Sequence, residues 1–224
     1  MARPIRIERP GAWYHITARG NDRQRIFTKD AERRHFCALR GQMVGQFNLW
    51  SHAYVLMDNH YHLLVELREG NLSRALQWLN ASYSVWFNRR QRRCGHLFQG
   101  RYKAVILDPQ EWALGLSRYI HLNPVRTDQL GLSKREQQRI RAGASEAPQP
   151  ALIRERIGQL RRYRWSSYRA YIALDKAPPW LEQQAVLRMG GAASKSSRGT
   201  IVTRWKERCG KASSKAHGKS CGKV

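Results

Sequence analysis

The stretch LWSHAYVLMDNHYHLLVEL, from Leu49 to Leu67, decides the fold, because it reads as two strands joined by a tight turn. Asp58 and Asn59, at its middle, suit a hairpin connection. Upstream, WYHITARG (residues 13–20) is a β-rich run that stops at a Gly-Asn turn signal. Between this run and the hairpin, apolar residues three or four positions apart predict a helix that includes residues 36–47.

Two helices and one strand follow the hairpin. Asn71 is in position to cap a second helix, LSRALQWLNASYSVWFNRR, and RYKAVIL (residues 101–107) is the fourth strand. DPQE (residues 108–111) then opens a third helix, with aspartate at the N-cap, proline at N1 and glutamate at N3. That helix is expected to end near Asn123, because the next residue is proline, which disfavours helix in the residue before it.

The resulting order, β-α-β-β-α-β-α, predicts an α+β protein. Its first six elements match the ferredoxin-like plan β-α-β-β-α-β, to which one C-terminal helix is added. In that plan the first and third strands lie side by side at the centre of the sheet. The third strand here is HYHLLVEL, residues 60–67.

Composition divides the chain into three parts. Residues 1–130 form the main domain, and residues 131–184 form a basic helical and loop extension that completes it, with AGASEAPQP as a loop. Residues 185–224 are expected to be a basic, partly disordered tail. From Gly191 onward the chain has nine Lys or Arg and one acid, Glu207, with many Gly and Ser, a composition that buries little apolar surface.

The charge of the chain indicates a polyanionic partner. The 224 residues carry 41 Lys and Arg against 16 Asp and Glu, a formal net charge of +25. Such a surface binds nucleic acid by neutralising phosphates and releasing counterions. An anionic membrane is the competing partner, but no apolar run reaches the ~18 residues of a membrane span, and no signal peptide opens the chain. The four cysteines lack paired spacing, which is typical of reduced thiols and not of a zinc site or disulfide framework. We therefore expect a cytoplasmic nucleic-acid-binding protein with no membrane partner.

Two histidines are the first candidates for chemistry. Because side chains alternate along a strand, His60 and His62 share one face, while Tyr61 and Leu63 take the face expected to pack on helices. Two imidazoles on one face can converge on a metal ion. The alternative, that both are ordinary half-exposed histidines, has about equal weight on these residues alone.

The third helix supplies the next candidates. Tyr119 and Asn123 are four residues apart and so lie on the same helix face. A helix after the fourth strand could cross the uncovered face of the sheet and bring both residues toward His60 and His62. Taken singly, Tyr119 could be a core aromatic and Asn123 only a helix cap. Their joint occurrence on so basic a chain favours a site.

Such a group could perform phosphoryl transfer on DNA. A metal would offset charge on the scissile phosphate, and the Tyr119 oxygen would attack phosphorus to give a covalent phosphotyrosine. A phenol needs a metal or cations nearby to react as a phenolate. Arg118 and Arg126 are available in the sequence.

The motifs WYHITARGN, AYVLMDNHYHLLVE, HLFQGRYKAVILD, RYIHLNPVR and WSSYRAY together resemble those of REP-associated tyrosine transposases. These are relatives of the IS200/IS605 single-tyrosine transposases within the HUH nuclease group, and the resemblance covers about residues 3–181. It implies a ferredoxin-like catalytic domain in residues 1–130 and a divalent ion, Mg²⁺ or Mn²⁺. It also implies that His60 and His62 are metal ligands, with Asn123 as the third, and that Tyr119 is the nucleophile attached to the 5′ side of the cut.

The resemblance further implies a substrate. Relatives act on single-stranded DNA, commonly imperfect REP-like palindromes that fold into hairpins beside a short recognition tetranucleotide. Whether this chain is a monomer or a homodimer is left open. Mg²⁺ prefers oxygen ligands, so two imidazole ligands are unusual for it. Mn²⁺ is therefore expected to support activity better.

Basic and aromatic residues are the candidates for DNA contact, since single strands are held by basic grooves with aromatic platforms. RRYRWSSYRAY (residues 161–171) has this mixture, although its aromatics could equally pack on the core. His15, on the first strand beside the HYH strand, could orient a ligand or the DNA, but a structural role is favoured. The predicted DNA-binding residues are Arg19, Asn21, Arg23, Arg101, Lys103, Arg118, Arg126, Arg164 and Trp165, with Arg101 and Lys103 sharing one strand face.

Three function classes follow from the sequence. The favoured one is a metal-dependent DNA transposase and endonuclease that cleaves and rejoins strands through Tyr119. The second is a non-catalytic protein that binds hairpin DNA or RNA and keeps the fold. The third is a nuclease that activates water and uses Tyr119 only structurally.

Overall fold

The computed structural model describes residues 7–142 and 149–191. The main elements of its first half follow the order predicted from the sequence: β1 (Trp13–Arg19), α1 (Asp30–Gln46), β2 (Leu49–Met57), β3 (His60–Leu67), α2 (Leu72–Gln91), β4 (Lys103–Leu107) and α3 (Pro109–Leu122). Four further helices are α4 (Lys134–Arg141), α5 (Pro150–Arg162), α6 (Tyr168–Tyr171) and α7 (Gln184–Met189). No helix in the described ranges is long and apolar enough to cross a membrane.

The four strands form one antiparallel sheet in the order β2-β3-β1-β4. β1 and β3 therefore lie together at the centre, and the prediction of an α+β, ferredoxin-like fold is confirmed. The turn between β2 and β3 contains Asp58 and Asn59. The carbonyl of Asp58 accepts hydrogen bonds from the backbone N–H groups of Ile26 and Phe27, at 2.8 and 2.9 Å. This end of the hairpin is thereby fixed to the chain that follows β1.

The two faces of the sheet pack against different helices. α1 and α2 cover one face, where Tyr61 and Leu63 of β3 belong to the larger apolar core. α3 covers the other face, where Leu64 of β3 belongs to a second core. Because strand side chains alternate, His60 and His62 point to the α3 side. The sequence predicted this division of faces.

Both ends of α3 are set by local sequence. The carboxylate of Asp108 accepts a hydrogen bond from the backbone N–H of Gln110 at 2.8 Å, and Pro109 occupies the first position. The helix ends at Leu122, with Asn123 as its C-cap, as predicted. Its last turn lies over the histidine face of the sheet.

The chain after α3 returns to cover the outer edge of β2. The backbone N–H of Leu56 donates to the carbonyl of Trp165 at 2.9 Å, and that of Ser167 donates to the carbonyl of Tyr54 at 3.0 Å. These bonds satisfy part of an edge that would otherwise present unpaired backbone groups. Residues 161–171 are called the clamp segment below.

The predicted start of the basic tail at residue 185 is wrong. Residues 184–189 form α7, whose Val186 and Leu187 are buried in the core beside α3. A helix of six residues offers too few periodic positions for a sequence pattern to show it. The rest of the predicted tail, residues 192–224, and residues 143–148 of the predicted loop lie outside the described residues.

Candidate active site

His60 and His62 stand side by side on the α3 face of β3. Their ring centroids are 5.0 Å apart, with the ring planes nearly perpendicular. His62 is only 5% exposed, and His60 is half-buried. The central position of β3 in the sheet therefore places this pair under α3 and largely out of water.

A third histidine contacts the pair. Nε2 of His15, on β1, lies 2.9 Å from Nδ1 of His62, and the hydroxyl oxygen of Thr17 lies 3.1 Å from the same nitrogen. The sequence favours a structural role for His15 and offers orientation of a ligand or the DNA as the alternative; its contact with the ring of His62 is compatible with either. Thr17 is not among the residues singled out from the sequence, although alternation directs it toward His62 once β1 is placed beside β3.

Burial favours the neutral forms of His60 and His62. It lowers the pKa of His60 to about 4, with a further contribution from the charge of Arg19. Burial also lowers the pKa of His62 well below the ordinary value, and the neighbouring His15 and His60 act in the same direction. At neutral pH each ring therefore has a nitrogen lone pair that can bind a metal ion.

Tyr119 lies over the histidines. Its ring centroid is 5.7 Å from that of His62 and 5.9 Å from that of His15, in nearly perpendicular contacts. The guanidinium carbon of Arg126 is 4.5 Å from the centre of the Tyr119 ring. Arg118, the residue before the tyrosine, is half-buried. The crossing of α3 over the sheet thus brings the predicted nucleophile to the predicted metal ligands.

The hydroxyl of Tyr119 differs from those of other tyrosines in the molecule. The hydroxyl of Tyr61 donates to Oδ1 of Asn80, and that of Tyr163 donates to the carbonyl of Leu56. Within the described ranges, the half-exposed Tyr119 makes no hydrogen bond through its hydroxyl. This oxygen is therefore available to a ligand.

Asn123 acts on its own helix. Its side-chain nitrogen donates to the carbonyls of Tyr119 at 2.9 Å and Ile120 at 3.4 Å. The capping role that the sequence left open is therefore present. These bonds use the nitrogen of the amide and leave its oxygen for another partner, so a ligand role for Asn123 stays a prediction.

Three predicted DNA-binding residues gather at the His60 end of the sheet. Arg19 is paired with His60 across β1 and β3, and directly paired residues share a face. Asn21 and Arg23 follow in a tight turn, where the side chain of Asn59 donates to the carbonyl of Arg23 at 3.2 Å. The side chains of Arg19, Asn21 and Arg23 are all exposed.

Arg101 and Lys103 do not share a strand face, so that prediction is wrong. β4 begins only at Lys103, which pairs with Thr17 and therefore lies on the histidine face. Arg101 precedes the strand and lines a groove beside α2, on the other face. The strand is two residues shorter than its sequence pattern indicates.

The clamp segment uses its aromatic residues mainly for packing. Trp165 is half-buried against the larger core, with the guanidinium carbon of Arg33 5.8 Å from its ring centre. The hydroxyl of Ser167 lies 2.7 Å from Nε2 of the buried His121 on α3. Arg164 is exposed. DNA contact by Arg164 and Trp165 stays a prediction.

Comparison with known proteins identifies the family. The family model described as "Transposase IS200 like" matches residues 9–123. The chain belongs to the IS200-like transposase family. The fold is similar to that of a REP-associated tyrosine transposase bound to a REP hairpin, at 14% identity and a TM-score of 0.51, over 81% of this chain and 92% of that chain.

A second solved structure is a tRNA(His) guanylyltransferase from Saccharomyces cerevisiae, at 10% identity and a TM-score of 0.40, over 84% of this chain and 80% of that chain. No curated protein matches the chain.

The histidines of this IS200-like transposase fit a divalent metal ion. Nδ1 of His60 lies 2.7 Å from Oδ1 of Asn59, and Nδ1 of His62 is held by His15, so both rings keep Nε2 for a ligand. Metal-binding histidines usually donate their other ring N–H in this way. In the described part of the chain, no group of three or more His, Cys, Asp or Glu could hold a metal. A third protein ligand would therefore be of another type, such as the amide oxygen of Asn123.

Proposed function

We propose that the protein is a transposase and endonuclease that binds hairpin-forming single-stranded DNA and cleaves and rejoins it through Tyr119. One observation carries the proposal: the ring of Tyr119, whose hydroxyl makes no hydrogen bond within the described residues, contacts both His15 and His62, which contact each other. Family membership supports the reaction class. The REP hairpin in the similar structure supports hairpin DNA as the partner.

The reaction is a transesterification. The Tyr119 oxygen loses its proton and attacks the phosphorus of the scissile phosphodiester, while the bond from phosphorus to the 3′ oxygen breaks. The leaving 3′ oxygen takes up a proton, which gives a 5′-phosphotyrosine and a free 3′ hydroxyl. Because the phosphoester bond is conserved in this intermediate, the 3′ hydroxyl of another strand can reverse the step and join DNA.

The residues around Tyr119 have separate roles in this proposal. His60, His62 and Asn123 would hold Mg²⁺ or Mn²⁺, which offsets charge on a non-bridging phosphate oxygen. His15 orients the His62 ring through Nδ1. Arg126, placed over the tyrosine ring, adds positive charge beside the attacking oxygen.

DNA contacts would extend outward from this centre. Cations bind phosphates and position the strand, whereas stacking on aromatic rings holds bases. The proposed contacts are Arg19, Asn21, Arg23, Arg101, Lys103, Arg118, Arg126, Arg164 and Trp165.

Covalent capture tests the proposal. Labelled single-stranded DNA containing the hairpins that flank the protein's own gene is incubated with Mn²⁺ or Mg²⁺, and products are separated on a denaturing gel. A metal-dependent protein–DNA adduct is expected from the unmodified protein. Tyr119→Phe should abolish the adduct and leave DNA affinity nearly unchanged, and His62→Ala should abolish metal-dependent cleavage. Tyr163→Phe, which also removes one phenol oxygen, is the matched control and should still form the adduct.

Two outcomes would reject the assignment. Hairpin binding without any adduct, across several such DNAs, would indicate a non-catalytic DNA-binding protein. Cleavage that Tyr119→Phe does not reduce would indicate a nuclease that activates water.

A further inference from the structure

Arg126, which lies over the ring of Tyr119, also bonds to a helix that the site has not involved so far. Its Nη2 donates to Oε1 of Gln137, on α4, at 3.0 Å. Its guanidinium carbon is 4.5 Å from the centre of the Tyr119 ring. Gln137 lies beyond residues 9–123, which the family model matches, and is not among the site residues that the sequence predicts. A chain of contacts therefore runs from α4 through Arg126 to the tyrosine.

The side-chain amide of Gln137 is held at both ends. Its Nε2 donates to the carbonyl of Leu132 at 2.6 Å, while its Oε1 accepts from Arg126. The reverse orientation would place the amide nitrogen against a guanidinium donor and the amide oxygen against a carbonyl, so only one orientation satisfies both partners. Leu132 is 6% exposed and belongs to the same apolar core as α3. A buried anchor thus directs the amide oxygen toward Arg126.

Local contacts fix the helix that carries Gln137. Its backbone N–H donates to the carbonyl of Ser133 at 2.9 Å, in the first turn of α4. The hydroxyl of Ser133 caps this helix by accepting from the backbone N–H of Glu136 at 3.2 Å. Before the helix, the carbonyl of Leu130 accepts from Nε of the buried Arg156 on α5 at 2.7 Å. The start of α4 is therefore tied to the fold on both sides of Leu132.

Arg126 needs such a support to keep one position. Its long side chain has many rotamers, and ordering it costs conformational entropy. Contact with the face of the Tyr119 ring restrains the distance of the guanidinium group from the ring but leaves its direction within that plane open. A hydrogen bond from one guanidinium nitrogen to a fixed acceptor sets this direction. The ring and Gln137 together thus define where the charge lies.

We propose that Gln137 is a positioning residue for the strand-transfer step at Tyr119. It holds the guanidinium group of Arg126 beside the tyrosine, where the positive charge offsets the negative charge that develops on the attacking oxygen and the phosphate. A cation that is placed before the reaction stabilises this charge better than one that must first be ordered. Gln137 acts through Arg126 and not on the reacting atoms. This inference rests on the proposed function, because it concerns a step of that reaction.

A matched pair of substitutions tests the proposal. Gln137→Met removes both hydrogen bonds and keeps a side chain of similar length. Gln159→Met, on α5, is the control, because Gln159 is also half-buried and its Nε2 donates to the carbonyl of Pro124 at 3.1 Å, two residues from Arg126. Both glutamines bond to a backbone carbonyl, but the oxygen of Gln137 also accepts from Arg126. Circular dichroism of both variants checks that the fold is kept.

The first measurement needs neither DNA nor metal. NMR of the arginine Nε–Hε groups, with the Arg126 signal assigned from Arg126→Lys, reports how well each group is ordered. Gln137→Met should lower the order parameter of Arg126 below about 0.6, a value typical of a flexible group. The signal of Arg156 should not change, and Gln159→Met should leave both signals as they are. An unchanged order parameter of Arg126 in Gln137→Met would overturn the proposal.

The second measurement separates rate from affinity. The rate of adduct formation is followed in a single turnover, with saturating hairpin DNA and Mn²⁺. Gln137→Met should lower this rate by about tenfold, as a misplaced group does, and change DNA affinity by less than about twofold. Gln159→Met should change neither quantity by more than about twofold. Weaker DNA binding by Gln137→Met at an unchanged rate would contradict the proposal.

A double substitution shows whether Gln137 acts through Arg126. In an Arg126→Ala background, Gln137→Met should have no further effect on the rate, because two residues that act as one unit are not additive. A merely structural role of Gln137 predicts the same slowing in both backgrounds, and that result would reject the assignment.

The inference and the proposed function can fail separately. An adduct that Gln137→Met forms as fast as the unmodified protein rejects the role of Gln137 only. Loss of Arg126 order in Gln137→Met, with no adduct from the unmodified protein on any hairpin DNA, keeps the placement of Arg126 by Gln137 and rejects the strand-transfer chemistry.

Discussion

Two segments of this chain look alike in sequence and are used differently in the structure. The clamp segment, residues 161–171, and residues 89–102, called the groove segment here, both combine several arginines with aromatic residues. The polar groups of the clamp segment bond to the rest of the fold: the hydroxyl of Tyr163 reaches the carbonyl of Leu56, and that of Tyr171 reaches the carbonyl of His52. The groove segment instead borders open space along α2.

One arginine of the clamp segment differs from those of the groove segment in the same way. In the clamp segment, Arg169 forms a two-pronged ion pair with Asp175 and so has its charge offset within the protein. In the groove segment, Arg89, Arg92 and Arg101 have no ion pair with an acidic residue of the described chain. Composition alone therefore does not identify a DNA surface. What separates the two segments is whether their polar atoms already have partners.

The largest expected difference concerns stability. Tyr171 is 1% exposed, and its hydroxyl donates to the carbonyl of His52 at 2.9 Å. Tyr171→Ala should lower the free energy of unfolding by about 3–5 kcal/mol, as is usual when a large buried aromatic is removed. Arg92→Ala, at an exposed position of the groove segment, should change it by less than about 0.5 kcal/mol. Urea unfolding measures both, and similar losses would remove the distinction between the segments.

Ser167→Ala should have an intermediate effect that reaches Tyr119. The hydroxyl of Ser167 accepts from the backbone N–H of Tyr54 at 2.9 Å and contacts His121 on α3. Leaving these buried groups without a partner costs about 1–3 kcal/mol. Because His121 is two residues from Tyr119, the loosened helix should also form the DNA adduct more slowly, with DNA affinity unchanged.

The adjacent serine provides the control for this prediction. The hydroxyl of Ser166 accepts from the backbone N–H of Tyr168 at 3.0 Å, within the clamp segment itself. Ser166→Ala should lower stability by about 1 kcal/mol, as loss of a local cap does. It should leave the single-turnover rate of adduct formation unchanged. Equal slowing by both variants would show that the rate follows stability and not the contact with α3.

The sequence predicts the centre of the molecule better than its borders. Alternation along HYHLLVEL sets the face of His60 and His62, and the cap and proline set the ends of α3, because both depend on short-range geometry. The position of Tyr119 over His62 also requires that α3 cross this face, which the order of elements only suggests. The contact of His15 with His62 needs the pairing of β1 and β3, which are 47 residues apart at that point. The ferredoxin-like order of elements predicts that β1 lies beside β3, but the contact between His15 and His62 also depends on the register of that pairing.

The remaining errors come from contacts between distant parts of the chain. RRYRWSSYRAY carries no periodic signal that would show pairing with the edge of β2, since that pairing uses backbone atoms. The strand pattern places Arg101 on the face of Lys103, because such a pattern does not reveal where strand pairing stops. α7 is too short to be recognised, and its burial depends on the apolar surface that α3 offers.

The smallest expected difference concerns salt dependence. Replacing Arg92 and Arg101 together by alanine should weaken binding of single-stranded DNA that contains the hairpin by about tenfold. It should also make the slope of log K against log salt less steep by about one to two, as lost phosphate contacts do. Arg161 and Arg162, two exposed arginines of the clamp segment that are not among the proposed DNA contacts, form the matched pair. Their joint replacement should weaken binding by less than threefold. Titrations at several salt concentrations compare the two pairs. A larger slope change for Arg161 and Arg162 would place the DNA strand over the clamp segment and reverse the comparison.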